Sequence, residues 1–222
     1  MSANEKYSDL EKITYDAALG IAWERLAFMD PGKVSENSIA QFLNCRIIVR
    51  HFQNDCIVDL ERRTIEIANK DVGSFLSILT LHYLIGCSDI CPTGRFISFR
   101  EVPAGDVYYS AFKTRTIDKL QSLFGTRPGA LLEAGKSLGA KVLDLGSTSI
   151  QVQVFPKMPV TVIVWEGDEE VPSSANILFD ELAPKILPTE DLVVISSLIF
   201  SMLKKSLGAM DQSILQKSKE KE

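Results

Sequence analysis

The residues of this 222-residue chain that are best suited to chemistry form an acidic run that begins at Glu166. Asp168, Glu170 and, further along, Asp180 carry carboxylates, which are the ligands that Mg²⁺ and Ca²⁺ prefer. If these groups converged in one pocket, they would support a cation-dependent hydrolase or transferase. Neighbouring carboxylates generally diverge, however, and the spacing of a calcium-binding loop is absent. The pattern therefore favours a solvated turn that precedes a helix.

Asp180 differs from the rest of the run because it follows two large apolar residues, Leu178 and Phe179. This context predicts that Asp180 lies in the middle of a helix, where a buried carboxylate needs a hydrogen-bond donor. We expect Arg95 or Arg100 to supply that donor.

The acidic run also determines how charge is distributed along the chain. The net charge is -5, but residues 166–191 alone carry -7 and the remainder carries +2. Such a region repels nucleic-acid phosphates and attracts cations or basic partners. Because no basic stripe with interleaved aromatic residues is present, we predict that the protein does not bind nucleic acid.

A second group of candidates combines aromatic rings with charged residues. Tyr108, Tyr109 and Phe112 lie close to Asp106 and Lys113 in the sequence, and together they could line a pocket for a flat cofactor. Aromatic residues at helical spacing more often pack in the core, and we favour that alternative. The residues that we assign as candidates for ligand binding are Arg100, Asp106, Tyr108, Tyr109, Trp165, Asp168, Glu170 and Asp180.

The cysteines offer a weaker signal. Cys87 and Cys91 have C-x3-C spacing and follow His82, but zinc and iron–sulfur sites need about four ligands at short spacings. The other two, Cys45 and Cys56, lie in or beside a predicted strand meander. We therefore predict that the four cysteines are reduced, that Cys87 and Cys91 pack as small apolar residues in a helix-to-strand loop, and that no metal site is present. No phosphate-binding loop or nucleophile elbow is present, so catalytic residues stay unassigned.

Three blocks of sequence carry a family resemblance. They are FREVPAGD at 99–106, the Phe124-Gly125 break, and a long ordered block from Phe155 to Leu192 that contains WEGDEEVP. With these blocks the chain resembles a prokaryotic family known only as domain of unknown function 3786. The resemblance implies no activity, although it implies a source among anaerobic bacteria and archaea. Some relatives carry an iron–sulfur module of the kind seen in corrinoid proteins, and this chain lacks its four closely spaced cysteines.

The positions of these candidates depend on a predicted α+β fold, in which a mixed or mainly antiparallel sheet is covered by helices. An N-terminal helix and a three-stranded meander form a subdomain at 1–70, and 71–208 form the main body of a single domain. Residues 209–222 form a charged, frayed tail. The predicted helices are 7–29, 35–43, 71–85, 107–123, 130–138, 174–182 and 189–208. The predicted strands are 46–51, 56–60, 64–67, 96–102, 141–145, 149–155 and 160–165.

Apolar density predicts where the core lies. The segment Val160–Trp165 is apolar on both faces and therefore belongs at the centre of a sheet. Leu192–Leu203 is shorter than the roughly 18 apolar residues of a membrane helix, so we predict a buried core helix and no membrane partner. In the helix at 71–85 we expect Phe75, Ile78, Leu79 and Leu81 in the core. The N-terminal residues are polar, so we expect no secretory signal and a cytoplasmic location.

Two classes of function follow from these observations. We prefer a non-catalytic binding or accessory protein of anaerobic metabolism, which handles a corrinoid or another cofactor or a protein partner. The alternative is a divalent-cation-dependent hydrolase or transferase that uses the acidic cluster at 168–180. The identity of the cofactor stays unassigned.

Overall fold

The computed structural model describes the backbone of residues 3–219 and the side chains of residues 15–209. The helices are α1 (Ala3–Ala27), α2 (Pro31–Ser38), α3 (Gly73–Gly86), α4 (Gly105–Phe112), α5 (Asp118–Phe124), α6 (Gly129–Lys136), α7 (Ala183–Ile186) and α8 (Thr189–Lys219). The strands are β1 (Gln41–Leu43), β2 (Arg46–His51), β3 (Asn54–Asp59), β4 (Thr64–Ile67), β5 (Lys70–Asp71), β6 (Phe96–Ser98), β7 (Lys141–Leu143), β8 (Thr148–Phe155), β9 (Met158–Trp165) and β10 (Ser174–Asp180). Two antiparallel sheets combined with helices confirm the predicted α+β class.

The described chain divides into two compact units. The first unit runs to Cys91 and also includes Phe155–Lys157 and Lys185–Leu187, and the second contains the rest. Helix α3 contacts α1 and α2 and so lies in the first unit, beyond the predicted subdomain boundary at residue 70.

The sheet of the first unit is a meander in which β1 to β5 follow one another in chain order. The three predicted strands are confirmed as β2, β3 and β4, and β1 and β5 extend the sheet at its two edges. Two-residue turns at Asn44-Cys45 and Ala68-Asn69 join the edge strands, and all four residues have positive φ. Tight hairpins favour this conformation because its twist matches that of the strands.

The predicted helix at 35–43 is wrong in its bounds. Helix α2 begins at Pro31, where Asp30 caps it by accepting a hydrogen bond of 2.7 Å from the amide of Lys33. Ile39 adopts the left-handed conformation and ends the helix. Residues 41–43 then pair with β2 as a strand, because the hairpin turn at Asn44 brings them alongside it.

Helix α3 confirms most of the predicted core face. Ile78, Leu79 and Leu81 are buried, whereas Phe75 is exposed and instead forms an edge-to-face contact with Tyr15 of α1. The prediction for Phe75 is wrong because Phe75, in the first turn of α3, lies against Tyr15 of α1 on a side of the helix that stays exposed.

The sheet of the second unit has the order β6-β10-β9-β8-β7, so β9 lies at its centre. Val160, Val162 and Val164 are buried on one face of β9, and Thr161 and Ile163 are buried on the other. The prediction that Val160–Trp165 is a central strand is therefore confirmed.

The helix predicted at 174–182 is wrong, because Ser174–Asp180 forms strand β10. The segment pairs with β9 along its length, with Ala175 opposite Val164 and Phe179 opposite Val160. Ala175, Ile177 and Phe179 alternate with less buried residues, which is the period of a strand. Two serines that precede an apolar run resemble a helix cap, and that local signal yields to pairing with a neighbouring strand.

The helices of the second unit include α8, which packs on α5 and α6. Leu192, Ile195, Ile199 and Leu203 are buried on one face at spacings of three and four residues, which confirms the predicted buried helix. The helix passes through Gly208 and continues to Lys219, because one glycine costs a helix only about 1 kcal/mol. Of the predicted tail, residues 220–222 lie outside the described residues.

By length and composition alone, Thr189–Ala209 could cross a membrane, and 33% of its most apolar window is buried within the structure. The core helix of a soluble protein meets the same criterion.

Candidate functional site

The acidic run forms the connection between β9 and β10, and Asp168 organises it. The Asp168 carboxylate accepts hydrogen bonds from the amides of Val171, at 2.7 Å, and Glu170, at 2.9 Å. These two backbone donors lower the pKa of Asp168, since they stabilise its charged form. Asp168 therefore holds the turn in shape, while the side chain of Glu170 is exposed.

Neighbouring segments hold the ends of this turn. The Ser147 hydroxyl accepts a hydrogen bond of 2.9 Å from the amide of Glu166, and the Gln121 side chain donates to the carbonyl of Ser173. Trp165 lies against Gly146, where a Cβ would come within 3.1 Å of the indole nitrogen. The candidate Trp165, the last residue of β9, thus packs against Gly146 and is also partly exposed.

Asp180 is the last residue of β10 and is only 3% exposed. Its carboxylate accepts hydrogen bonds from the amides of Gly94, at 2.7 Å, and Leu182, at 3.0 Å. The expectation that Arg95 or Arg100 would be its donor is wrong, because Arg95 pairs with Glu181 and Arg100 pairs with Asp106. Backbone amides reach Asp180 because it lies at a strand end, next to two chain turns.

The carboxylates of the acidic cluster do not converge. A strand rises about 3.3 Å per residue, so Asp180 lies roughly 20 Å along β10 from Ser174, the end next to the acidic turn. Among side chains 15–209, no group of three or more histidine, cysteine, aspartate or glutamate residues could hold a metal ion. The structure therefore places Asp180 apart from both Asp168 and Glu170.

Three other candidates form a surface cluster, which we call the Arg100 cluster: Arg100, Asp106 and Tyr109. The fourth, Tyr108, precedes Tyr109 in α4. The guanidinium carbon of Arg100 lies 3.7 Å from the centre of the Tyr109 ring, and its Nη1 is 3.2 Å from Asp106 Oδ1. The side chains of Arg100 and Asp106 are mostly exposed, and Tyr108 on α4 is also exposed. The cluster thus presents a planar cation and aromatic surface to solvent.

Rigid backbone supports the Arg100 cluster. Arg100 lies in a short 3-10 helix, Phe99–Glu101, in which Glu101 accepts hydrogen bonds from the amide and hydroxyl of Ser98. Phe99 stacks on Phe112 in the core, with ring centres 3.9 Å apart. For Phe112 the core alternative is therefore confirmed.

A buried polar network in the first unit was not among the candidates. The Tyr83 hydroxyl donates to the carbonyl of Ser38 at 2.9 Å and accepts from the amide of Lys157 at 3.1 Å. Lys157 is only 4% exposed, and its Nζ donates a hydrogen bond of 2.9 Å to the carbonyl of Ser88. No signal in the sequence marks this lysine, because Pro156-Lys157 has the composition of an ordinary surface turn.

All four cysteines are free thiols, and Cys87 lies buried beside this network. The prediction of apolar packing is therefore confirmed for Cys87 and wrong for Cys91, which is exposed. Desolvation raises the pKa of Cys87 to about 11 and that of Cys56 to about 11. These two thiols therefore remain protonated at neutral pH, which makes them poor nucleophiles.

We expect the thiols to react in two pairs. With a thiol reagent at pH 7, Cys45 and Cys91 should react in the native protein, whereas Cys56 and Cys87 should react only after denaturation. Raising the pH to 9 should leave the second pair slow, because their pKa of about 11 keeps them protonated. Mass spectrometry of alkylated protein counts the labelled thiols before and after denaturation. Fast labelling of all four thiols in the native protein would contradict the assignment.

Comparison with known proteins gives one match. The profile of a family described as Domain of unknown function (DUF3786) matches residues 30–202. No curated protein and no solved structure matches the chain.

Proposed function

The chain belongs to the family of domain of unknown function 3786, and from its surface chemistry we propose that it is a non-catalytic binding or accessory protein of anaerobic metabolism. In this proposal it acts in the cytoplasm and handles a corrinoid or a similar flat cofactor at the Arg100 cluster. The observation that carries the proposal is the stack of the exposed Arg100 on Tyr109, with an exposed Tyr108 one residue earlier in α4.

The chemistry of the Arg100 cluster suits such a ligand. An arginine stacked on an aromatic ring presents several N–H donors at the edge of the guanidinium. Arg100 uses Nη1 for Asp106, and its other donors can bind phosphate or amide oxygens. An adjacent exposed tyrosine adds a flat apolar surface with a hydroxyl at its tip. A corrinoid combines a broad macrocycle with amide and phosphate groups and would use both features.

The acidic residues support the same proposal by what they already bind. Asp168 and Asp180 each accept two hydrogen bonds from backbone amides, so both carboxylates stabilise the fold. A cation site needs several carboxylates directed at one point, and Asp180 lies at the far end of β10 from the acidic turn. Among the side chains that the structure describes, no cluster favours the cation-dependent alternative.

Spectroscopy of protein purified without oxygen tests the proposal. We expect visible absorption from a bound chromophore, or saturable binding when cobalamin is added as the probe. Arg100→Ala and Tyr108→Ala should each weaken cobalamin binding about tenfold or more, as for a stacked residue at a binding centre. Arg50→Ala is the matched control, because Arg50 is also an exposed, ion-paired arginine, and it should leave binding unchanged.

Two outcomes would overturn the proposal. Protein with neither a chromophore nor measurable cobalamin affinity would refute the cofactor role. A rise in melting temperature on adding Mg²⁺ or Ca²⁺, lost in Glu170→Gln, would revive the cation-dependent enzyme by binding linkage.

A further inference from the structure

Strand β1 is the edge of the first sheet and has unusually apolar side chains. Phe42 is 44% exposed and Leu43 is 60% exposed, and Ile39, just before the strand, is 58% exposed. Exposed apolar residues at a sheet edge mark a surface that favours pairing with another strand.

The backbone of β1 also presents hydrogen-bonding groups outward. Across the two-residue turn, Leu43 lies opposite Arg46, and this pair next to the turn exchanges the hydrogen bonds. Phe42 lies opposite Ile47 as the following, non-hydrogen-bonded pair. The amide and carbonyl of Phe42 therefore point away from β2, towards the open side of the sheet.

Charges protect the other sheet edges but not this one. Strand β5 consists of Lys70 and Asp71, β7 begins with Lys141, and β6 directly follows Arg95. By contrast, the nine residues from Asn37 to Cys45 include no charged side chain. Charged residues are a common means of preventing edge-to-edge association, and β1 lacks them.

We propose that β1 pairs antiparallel with β1 of a second copy of this chain, about a two-fold axis at Phe42. The outward amide and carbonyl of Phe42 would then exchange hydrogen bonds with those of Phe42 of the second copy. In this register Leu43 lies opposite Gln41 of the second copy, so no like charges meet. A second copy fits better than a charged peptide, because this neutral edge matches itself and offers no ion pair to a charged strand.

The size of this contact determines its strength. A three-residue strand with a few apolar side chains buries less than the roughly 1,200 Å² of stable complexes. The dimer is therefore reversible and depends on concentration, and dimerisation joins the two meanders into one continuous sheet.

Sedimentation velocity of the full chain tests the dimer at concentrations up to about 1 mM. The wild type should shift from the 24.6 kDa monomer towards twice that mass as concentration rises. Phe42→Lys should stay monomeric, because a pair of lysines would face each other across the axis. Leu43→Lys, on the opposite face of the strand, should weaken the dimer as a second, independent change.

Val142→Lys is the matched control, because Val142 is as exposed as Leu43 and also lies on an edge strand, β7 of the other sheet. It should dimerise like the wild type, and circular dichroism should show all variants folded. A wild type that stays monomeric throughout would overturn the proposal. A dimer that survives both β1 changes, or that Val142→Lys also abolishes, would overturn it too.

Discussion

Replacing Val162 with aspartate is expected to unfold the second unit. Val162 lies in the middle of the central strand β9, opposite Ile177 of β10, and is completely buried. A carboxylate at this position would be surrounded by apolar side chains without a donor, and burying a polar group unpaired is among the most costly substitutions. We expect a loss of more than about 4 kcal/mol in the free energy of unfolding.

Urea denaturation followed by circular dichroism measures this loss. Val107→Asp is the matched control, because Val107 is highly exposed in the first turn of α4, where an acidic residue is favoured by the helix dipole. The control should unfold at nearly the same urea concentration as the wild type. If Val162→Asp were equally stable, β9 could not be the centre of the core.

Replacing Gly86 with alanine is expected to have the second largest effect. Gly86 is the last residue of α3, and a Cβ there would lie 1.8 Å from the carbonyl oxygen of Ile186, within the first unit. Because the obstacle is backbone rather than a flexible side chain, the segments must separate. We expect a loss of about 3 kcal/mol, the upper part of the range for overpacked positions.

Gly20→Ala is the control for this change and should alter the free energy of unfolding in the opposite direction. Gly20 lies within α1, and a Cβ there meets no atom within 4 Å. Alanine should therefore raise the free energy of unfolding by roughly 0.5–1 kcal/mol through its better helix propensity. Thermal unfolding of both variants should separate them clearly. Equal stability of Gly86→Ala and the wild type would contradict the close contact with Ile186.

The elements that the sequence predicts well are those that local composition dictates. Val160–Trp165 contains adjacent β-branched residues on both faces, and only the centre of a sheet buries both faces of a strand. Polar turns separate β2, β3 and β4, so these three strands and their order follow from short-range chemistry, whereas the edge strands β1 and β5 do not. The helix from Thr189 combines acidic residues in its first turn with an apolar stripe, which are both local signals.

The errors arise where a distant segment decides the outcome. The segment Ser174–Asp180 has a helix-like start, but hydrogen bonds to β9 make it a strand. Phe75 is a large apolar residue typical of a core, yet among the described side chains its only ring contact is with Tyr15 of α1, and it stays exposed. In both cases the local preference amounts to less than the free energy of pairing or packing with a neighbour.

For the candidate binding residues too, local sequence determined one part and contacts with distant segments determined the other. The sequence by itself determined which residue types were available: the acidic run, the tyrosines after Asp106, and Arg100 in the FREVPAGD block. Only the tertiary structure decided which of them remain accessible. The Asp180 carboxylate accepts a hydrogen bond from the amide of Gly94, 86 residues away in the sequence. Lys157 Nζ donates one to the carbonyl of Ser88, 69 residues away. Arg100 stays exposed on Tyr109. The physical reason is that hydrogen bonding and burial depend on which segments meet in space, and those distances are not encoded in any local pattern.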